Sequence, residues 1–308
     1  MVDKLTSPIL RVLGYGLGLA LIILAAYQGI TEVALEKIIN AARLELVGIA
    51  VAVLANLVLT GVFYWRITTG FDANPPLGLG RMTGLISVSS LLNYLPLRPG
   101  LISRVMFLKV HHGVPLRQSL VISFFVVILS AIISASVVLV GLCGTVYSGA
   151  RSISGQVIVP ILGLVIMTGV CGLMPLVARR MAPQSMQLVW LLPVVKTFDV
   201  LAGGMRFWLA LRVVGLPLTY GQSLVAAAGG MLVSLIGLTP NGLGIREWTV
   251  TGILVAMMAV DSGYVAMAAV IERGIEVMVM VPCGLIGLAV LRKDLAGNAP
   301  LSKDDQRQ

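Results

Sequence analysis

Stretches without a single charge set the rhythm of this chain. Leu46–Trp65, Gln118–Ala150, Ser152–Ala178 and Val213–Ile245 contain no Asp, Glu, Lys or Arg. Each reaches the ~20 residues that a helix needs to cross a bilayer core. The same reading along the whole chain predicts six spans, at about 9–30, 46–66, 119–142, 156–178, 190–212 and 264–290. The first follows Lys4 and Arg11, as the core of a signal peptide would. It is longer than the ~7–15 apolar residues of such a core, and further spans follow, so it is expected to be retained. Segment 31–45 mixes Val33, Leu35, Ile38, Ile39 and Ala42 with charges, the pattern of a helix lying in the outer interface.

Two further apolar segments, 82–96 and 222–239, each run into a proline–glycine break. The breaks read NYLPLRPGLISR (93–104) and GLTPNGLGIRE (237–247). Pro96 and Gly100 share the spacing of Pro240 and Gly244. Ser90-Leu91 stands before the first break as Ser234-Leu235 stands before the second. A span carrying Trp and Arg precedes each break, and a short arm, a loop and a final span follow. The halves 9–142 and 156–290 therefore read as one unit used twice, with 291–308 as a tail. If each break dips into the membrane and returns, each half holds an odd number of spans and the second half is inserted upside down. Re-entrant arms and short full spans over 98–110 and 245–260 give the same parity and are equally open readings.

Orientation follows from the basic residues. With the N-terminus inside, Lys4, Arg11, Arg66, Arg81, Lys109, Arg117, Arg179, Arg180, Arg292, Lys293, Lys303 and Arg307 flank the spans on the cytoplasmic side. Lys37, Arg43, Arg151 and Arg212 remain outside, a ratio of 12 to 4. This is the bias expected of a correct assignment, and it places both termini in the cytoplasm.

Composition turns the pattern into a class. The 308 residues are 58% hydrophobic and 11% charged, with mean hydropathy +0.99. A soluble domain has about 25% charged residues. The reading is an all-α, polytopic protein of the cell (cytoplasmic) membrane, with no room in these residues for a separate catalytic domain. The net charge of +9 fits loops facing anionic lipid, and no nucleic-acid partner is expected. Cys143, Cys171 and Cys283 are scattered among apolar residues and read as small buried hydrophobes. His111-His112 has no Asp, Glu or Cys beside it, so no metal site is expected. GYGLG (14–18) lies in the first span and reads as close helix packing. No Ser-His-Asp set and no cofactor-binding pattern is visible.

The breaks carry the candidate chemistry. In hydrocarbon every backbone N–H and C=O needs a partner, and proline and glycine open the helix ladder. Two matched breaks in inverted halves point to a transporter-type polar cavity near the midplane. Intramembrane charges are expected there. Glu272, Arg273 and Glu276 interrupt the last span; Lys196, Asp199 and Arg206 sit in the span 190–212. Arg273 with Glu276, and Lys196 with Asp199, have pairing distance on one helical face. A charge at the bilayer centre costs about 2.5–3.5 kcal/mol on insertion scales, so these groups must face one another or a polar cavity. Arg246, Glu247, Arg273 and Glu276 read as substrate-facing or gating groups. Lys196, Asp199 and Glu272 read as supporting polar groups or as an ion-pair network tying spans together. Arg98 and Arg104 add positive charge from the first break. Several arginines offer bidentate donors to phosphate, so a polar lipid headgroup is the natural ligand.

The pattern N-x-L-P-x-R-x-G in Asn93–Gly100 and the pattern P-x-G-x-G-x-R-E in Pro240–Glu247 resemble the lysylphosphatidylglycerol synthase transmembrane family. The later arginine of IERGIE fits too, and the resemblance spans nearly the whole chain. In multipeptide resistance factors this type of region is the lipid-flipping part, joined to an aminoacyl transferase; these residues show no such domain, so aminoacyl-lipid synthesis is not expected. The resemblance implies functional roles for Asn93, Pro96, Arg98, Gly100 and Arg104, and for Pro240, Gly242, Gly244, Arg246, Glu247 and Arg273. Two departures bear on the halves. Members often have glutamate where Leu101 stands, and often an arginine where SFFVVILSAIIS has none. The second half, which keeps its charges, is the expected seat of the site.

Three functions compete. The leading one is a lipid translocator in which one half rocks against the other around a shared polar cavity. The second is a non-catalytic accessory protein of lipid, hopanoid or cell-envelope glycolipid synthesis, partnered with an enzyme. The third is an intramembrane lipid-modifying enzyme, for which Glu247 with Glu276 is the visible acid–base pair. The expectation is a non-enzyme.

Overall fold

The computed structural model describes residues 43–69, 77–95, 99–147, 191–236 and 239–297. Among these residues the chain is helical throughout. The α-helices are α1 (Arg43–Thr69), α2 (Leu79–Leu92), α3 (Pro99–His112), α4 (Leu116–Tyr147), α5 (Leu191–Val213), α6 (Tyr220–Ile236), α7 (Ile245–Met258) and α8 (Ser262–Gly297). The expected spans 9–30 and 156–178, most of segment 31–45, and the last residues of the tail lie outside the described residues.

Length separates two kinds of helix. α1, α4 and α8 are long and apolar enough to cross a membrane. α5 has 23 residues and carries Lys196, Asp199 and Arg206. By contrast α2, α3 and α7 have 14 residues each and α6 has 17. At 1.5 Å per residue these reach about 21–26 Å, short of a ~30 Å hydrocarbon core.

Two boundaries differ from expectation. The helix expected at 46–66 covers Arg43–Thr69, so residues 43–45 of the expected interfacial segment are part of α1. Glu45 in this first turn favours the positive helix end and pairs with Arg212 of α5 at 3.6 Å. The helix expected at 264–290 runs over Ser262–Gly297 and passes through Pro282.

Packing repeats itself. The order long, short, short, long occurs twice, as α1–α4 and α5–α8. Exchanging α1 with α5, α2 with α6, α3 with α7 and α4 with α8 maps the helix contacts onto one another. The contact of α2 with α8 becomes that of α6 with α4; α1 with α5 maps onto itself. The hairpins α2–α3 and α6–α7 correspond, as do α3–α4 and α7–α8. The short helix of each group thus packs on the last long helix of the other.

Small residues permit this closeness. A Cβ on Gly287 of α8 would sit 2.5 Å from the Gly84 carbonyl oxygen of α2. A Cβ on Gly141 of α4 would sit 2.1 Å from a Val225 methyl of α6, the matching interface. Lipid offers little hydrophobic drive between helices, so close van der Waals packing must hold them. The core joins Ile49, Val53, Met82, Ile86, Phe207, Leu211, Leu254 and Ala268, from five helices. Leu44, Val51, Phe124, Leu139, Met278, Leu285 and Ile286 are exposed on the outer faces of α1, α4 and α8, as membrane helices require. Hydroxyls on these helices satisfy themselves by donating one turn back: Ser87 to Thr83, Ser130 to Val126, Ser136 to Ile132 and Ser234 to Gly230.

Candidate functional site: a balanced charge cluster at the second break

The second break is built from unusual backbone. Pro240–Gly242 forms one 3₁₀ turn in which Asn241 has φ 48°. Gly242 and Gly244 follow with φ 73° and 80°. Side chains rarely adopt these angles, which explains both glycines. A Cβ on Gly242 would also sit 2.5 Å from Ser234 Oγ. The turn then launches α7, whose first residues bring Arg246 and Glu247 inward.

Six charged side chains meet beside this turn. Arg206 comes from α5, Arg246 and Glu247 from α7, and Glu272, Arg273 and Glu276 from α8. The spacing of the last three, i, i+1 and i+4, puts Glu272 and Glu276 on one face with Arg273 at its edge. Arg206 Nη2 donates to Glu272 Oε1 and to Glu276 Oε2. Arg246 reaches the same two carboxylates, at 3.0 Å to Glu272 and 3.3 Å to Glu276. Arg273 donates to Glu247 at 3.0 Å through Nε and to Glu276 at 3.1 Å through Nη1. Its Nη2 donates at 2.8 Å to the Asn241 carbonyl, a backbone acceptor freed by the break. Tyr94, from the first break, donates its hydroxyl to Glu276 Oε1 at 3.0 Å.

Glu276 is therefore the hub, accepting from three arginines and a tyrosine. The cluster holds three arginines and three glutamates, so its formal charge is zero. All except Arg246 are buried; the Arg246 side chain keeps 16% of its surface open, the largest share in the set. The space bounded by Phe207, Ala227, Arg246, Glu247, Val250, Ala269 and Glu272 leaves about 0 Å³ for a water-sized sphere. Among the described residues this space is filled by the charged groups themselves. Glu247 Oε2 and Arg206 Nε are buried without a hydrogen-bond partner.

The structure gathers part of the expected set. Arg246, Glu247, Glu272, Arg273 and Glu276 come together, and Pro240, Gly242 and Gly244 shape the turn beneath them. Lys196 and Asp199 do not join. They pair with each other, and Asn56 of α1 donates to the Asp199 carboxylate at 2.7 Å. This separate knot borders a cavity of about 10 Å³ lined by Leu59, Thr60, Phe63, Val126 and Val195. Arg104 does not join either; it lies on the ring of Tyr64. Asn93 caps α2 with its backbone N–H on Ser89 and Ser90 carbonyls. Gly100 presses α3 on α2, where a Cβ would sit 1.8 Å from the Ser89 oxygen. Pro96 and Arg98 lie outside the described residues.

Tyr94 and the Asn241 carbonyl were not expected at the site, and Arg206 was expected among the intramembrane charges but given no role. Arg206 had a signal, one of several charges in a predicted span. Tyr94 had none, because a tyrosine beside a break is ordinary at an interface. Among the described residues no group of three His, Cys, Asp or Glu is placed to hold a metal.

Residues 11–284 match the family model described as the lysylphosphatidylglycerol synthase TM region. Comparison with curated proteins and with solved structures gives no match.

Proposed function

Because this chain belongs to the lysylphosphatidylglycerol synthase TM region family, and hence among membrane proteins of lipid-related function, we propose that it is a lipid translocator of the cytoplasmic membrane. A polar or anionic headgroup passes through the second-half charge cluster while the tails stay in the bilayer. The halves sit inverted, and one rocks against the other.

One observation carries this reading: a charge-balanced, dry cluster tied to a helix break inside an apolar protein. A buried ion pair contributes little net stability, since desolvation offsets attraction. Six such groups are an expensive way to hold helices together. They do suit a site whose partners can be exchanged. A phosphate entering between Arg246 and Glu272 replaces one anion with another, and the arginine donors stay satisfied. Arg246 is the most open of the set and is the natural first contact. The chemistry proposed here is binding and movement, with no catalytic residue and no cofactor.

The test is a leaflet-resolved lipid assay in vesicles holding the full chain. R273A is expected to lower the rate of headgroup movement at least about tenfold while insertion is unchanged. Unaltered movement in R273A and E247A vesicles would remove the assignment.

A second reading has its own support. The charge-balanced cluster, in which every arginine meets a carboxylate, suits a static knot in an accessory protein that presents lipid to a separate biosynthetic enzyme. Co-purification of such an enzyme, with no movement of lipid by the isolated chain, distinguishes the two.

A further inference from the structure

Of the buried cations among the described residues, Lys196, Arg206 and Arg273 pair with carboxylates and Arg104 does not. It lies on α3 and is 9% exposed. Its guanidinium carbon sits 4.0 Å from the centroid of the Tyr64 ring on α1. Its hydrogen bond, from Nη2 to Ser123 Oγ of α4, is 3.5 Å long. Ser123 Oγ meanwhile donates to the Ser119 carbonyl at 3.0 Å, so toward Arg104 it acts as acceptor. Arginine has five N–H donors, and among the described residues Arg104 uses one, to Ser123.

Among the described residues Arg104 has no carboxylate partner, unlike Arg206, Arg246 and Arg273. The sequence gives the reason. From residue 46 to residue 198 the chain has one acidic side chain, Asp72, against ten Lys and Arg. The stretch that carries Arg104 thus offers few counter-charges nearby in sequence, whereas α7 and α8 supply their own in Glu247, Glu272 and Glu276. A guanidinium taken out of water without an anion costs several kcal/mol. The tyrosine face recovers only part of this, about 0.5–2 kcal/mol for a ring–cation contact.

We propose that Arg104 is a phosphate-binding site, distinct from the six-charge cluster. Tyr64 backs the guanidinium plane and Ser123 steadies one nitrogen. The remaining N–H fork takes two oxygens of a single phosphate, the bidentate geometry arginine favours. One guanidinium balances one negative charge, which matches a phosphodiester. Lys109 lies about 8 Å further along α3 and adds to the local positive potential. The phosphate can belong to a phospholipid headgroup or be free in solution.

The experiment is native mass spectrometry of the full chain in detergent, with phosphatidylglycerol and diacylglycerol as probes. Wild type is expected to retain phosphatidylglycerol over diacylglycerol, and R104Q to retain it about tenfold less. R104K keeps the charge but loses the fork, and is expected to fall between them. It also gives the readout if R104Q does not fold. Millimolar inorganic phosphate that leaves the lipid bound assigns the site to a headgroup; displacement, with a rise in Tm from phosphate alone, assigns it to free phosphate. Equal lipid retention by wild type, R104K and R104Q, with no phosphate-dependent rise in Tm, overturns the proposal. Binding is read here, not movement, so failure of translocation and failure of this site are separate results.

Discussion

At the scale of residues, the molecule turns on how arginines are matched. Arg273 binds Glu247, Glu276 and the Asn241 carbonyl, so it ties α8 to α7 and to the break that precedes α7. Removing it leaves two buried carboxylates and a buried carbonyl short of donors. R273Q is expected to cost about 3–5 kcal/mol, the usual result of orphaning a buried charge. The double variant R273Q/E247Q is expected to cost less than the sum of the single ones, with coupling of about 0.5–3 kcal/mol. Unfolding of all three variants in one detergent checks this; additive losses would mean that the pair does not interact. Tyr94→Phe deletes one donor to Glu276 and is expected to cost about 1.5–3 kcal/mol, as a bond to a charged group does. The candidates on α7 and α8 were legible because charge in an apolar span forces a polar neighbour. Tyr94 was not, because its role depends on which helix end lies opposite.

At the scale of elements, the breaks decide the architecture. Each pairs a short helix with a short returning arm, and glycine permits the contact. Gly100→Ala places a methyl 1.8 Å from a backbone oxygen of α2. Backbone cannot retreat as a flexible side chain can, so loss of the α2–α3 hairpin packing is expected, at a cost of at least about 1–3 kcal/mol. Gly252→Ala on α7 meets nothing within 4 Å and is the control. It is expected to be neutral or to stabilise by up to about 1 kcal/mol, through helix propensity alone. Equal Tm values for the two variants would contradict the close approach. The breaks themselves were visible as proline and glycine, whereas the interfacial segment gave up its end to α1. The pairing of Glu45 with Arg212, far apart in sequence, was not visible there.

For the whole molecule, the doubling of the packing is the main fact. An interface exchange that maps α1–α4 onto α5–α8 makes each half complete only with the other's long helix. The proposed inversion has a direct consequence. Gly80, at the start of α2, and Pro217, just before α6, lie at the N-terminal ends of corresponding short helices and are both exposed. Cysteines placed singly at these positions are expected to react with a membrane-impermeant reagent from opposite sides. Labelling from the same side would rule out inverted halves and, with them, the rocking mechanism.

Membrane residence, helical class, the two breaks and the family resemblance all follow from local pattern. They rest on hydrophobicity, proline and glycine, which act through neighbours in sequence and the surrounding lipid. Which charges meet was decided by tertiary structure alone. Periodicity puts Arg206 and Asp199 on the same short stretch of α5, yet one joins the central cluster and the other a separate knot with Asn56. Helical spacing specifies the face of a helix, but not the helix that faces it. Only packing selects that partner, and with it the pairing within the cluster and the position of Arg104 on Tyr64.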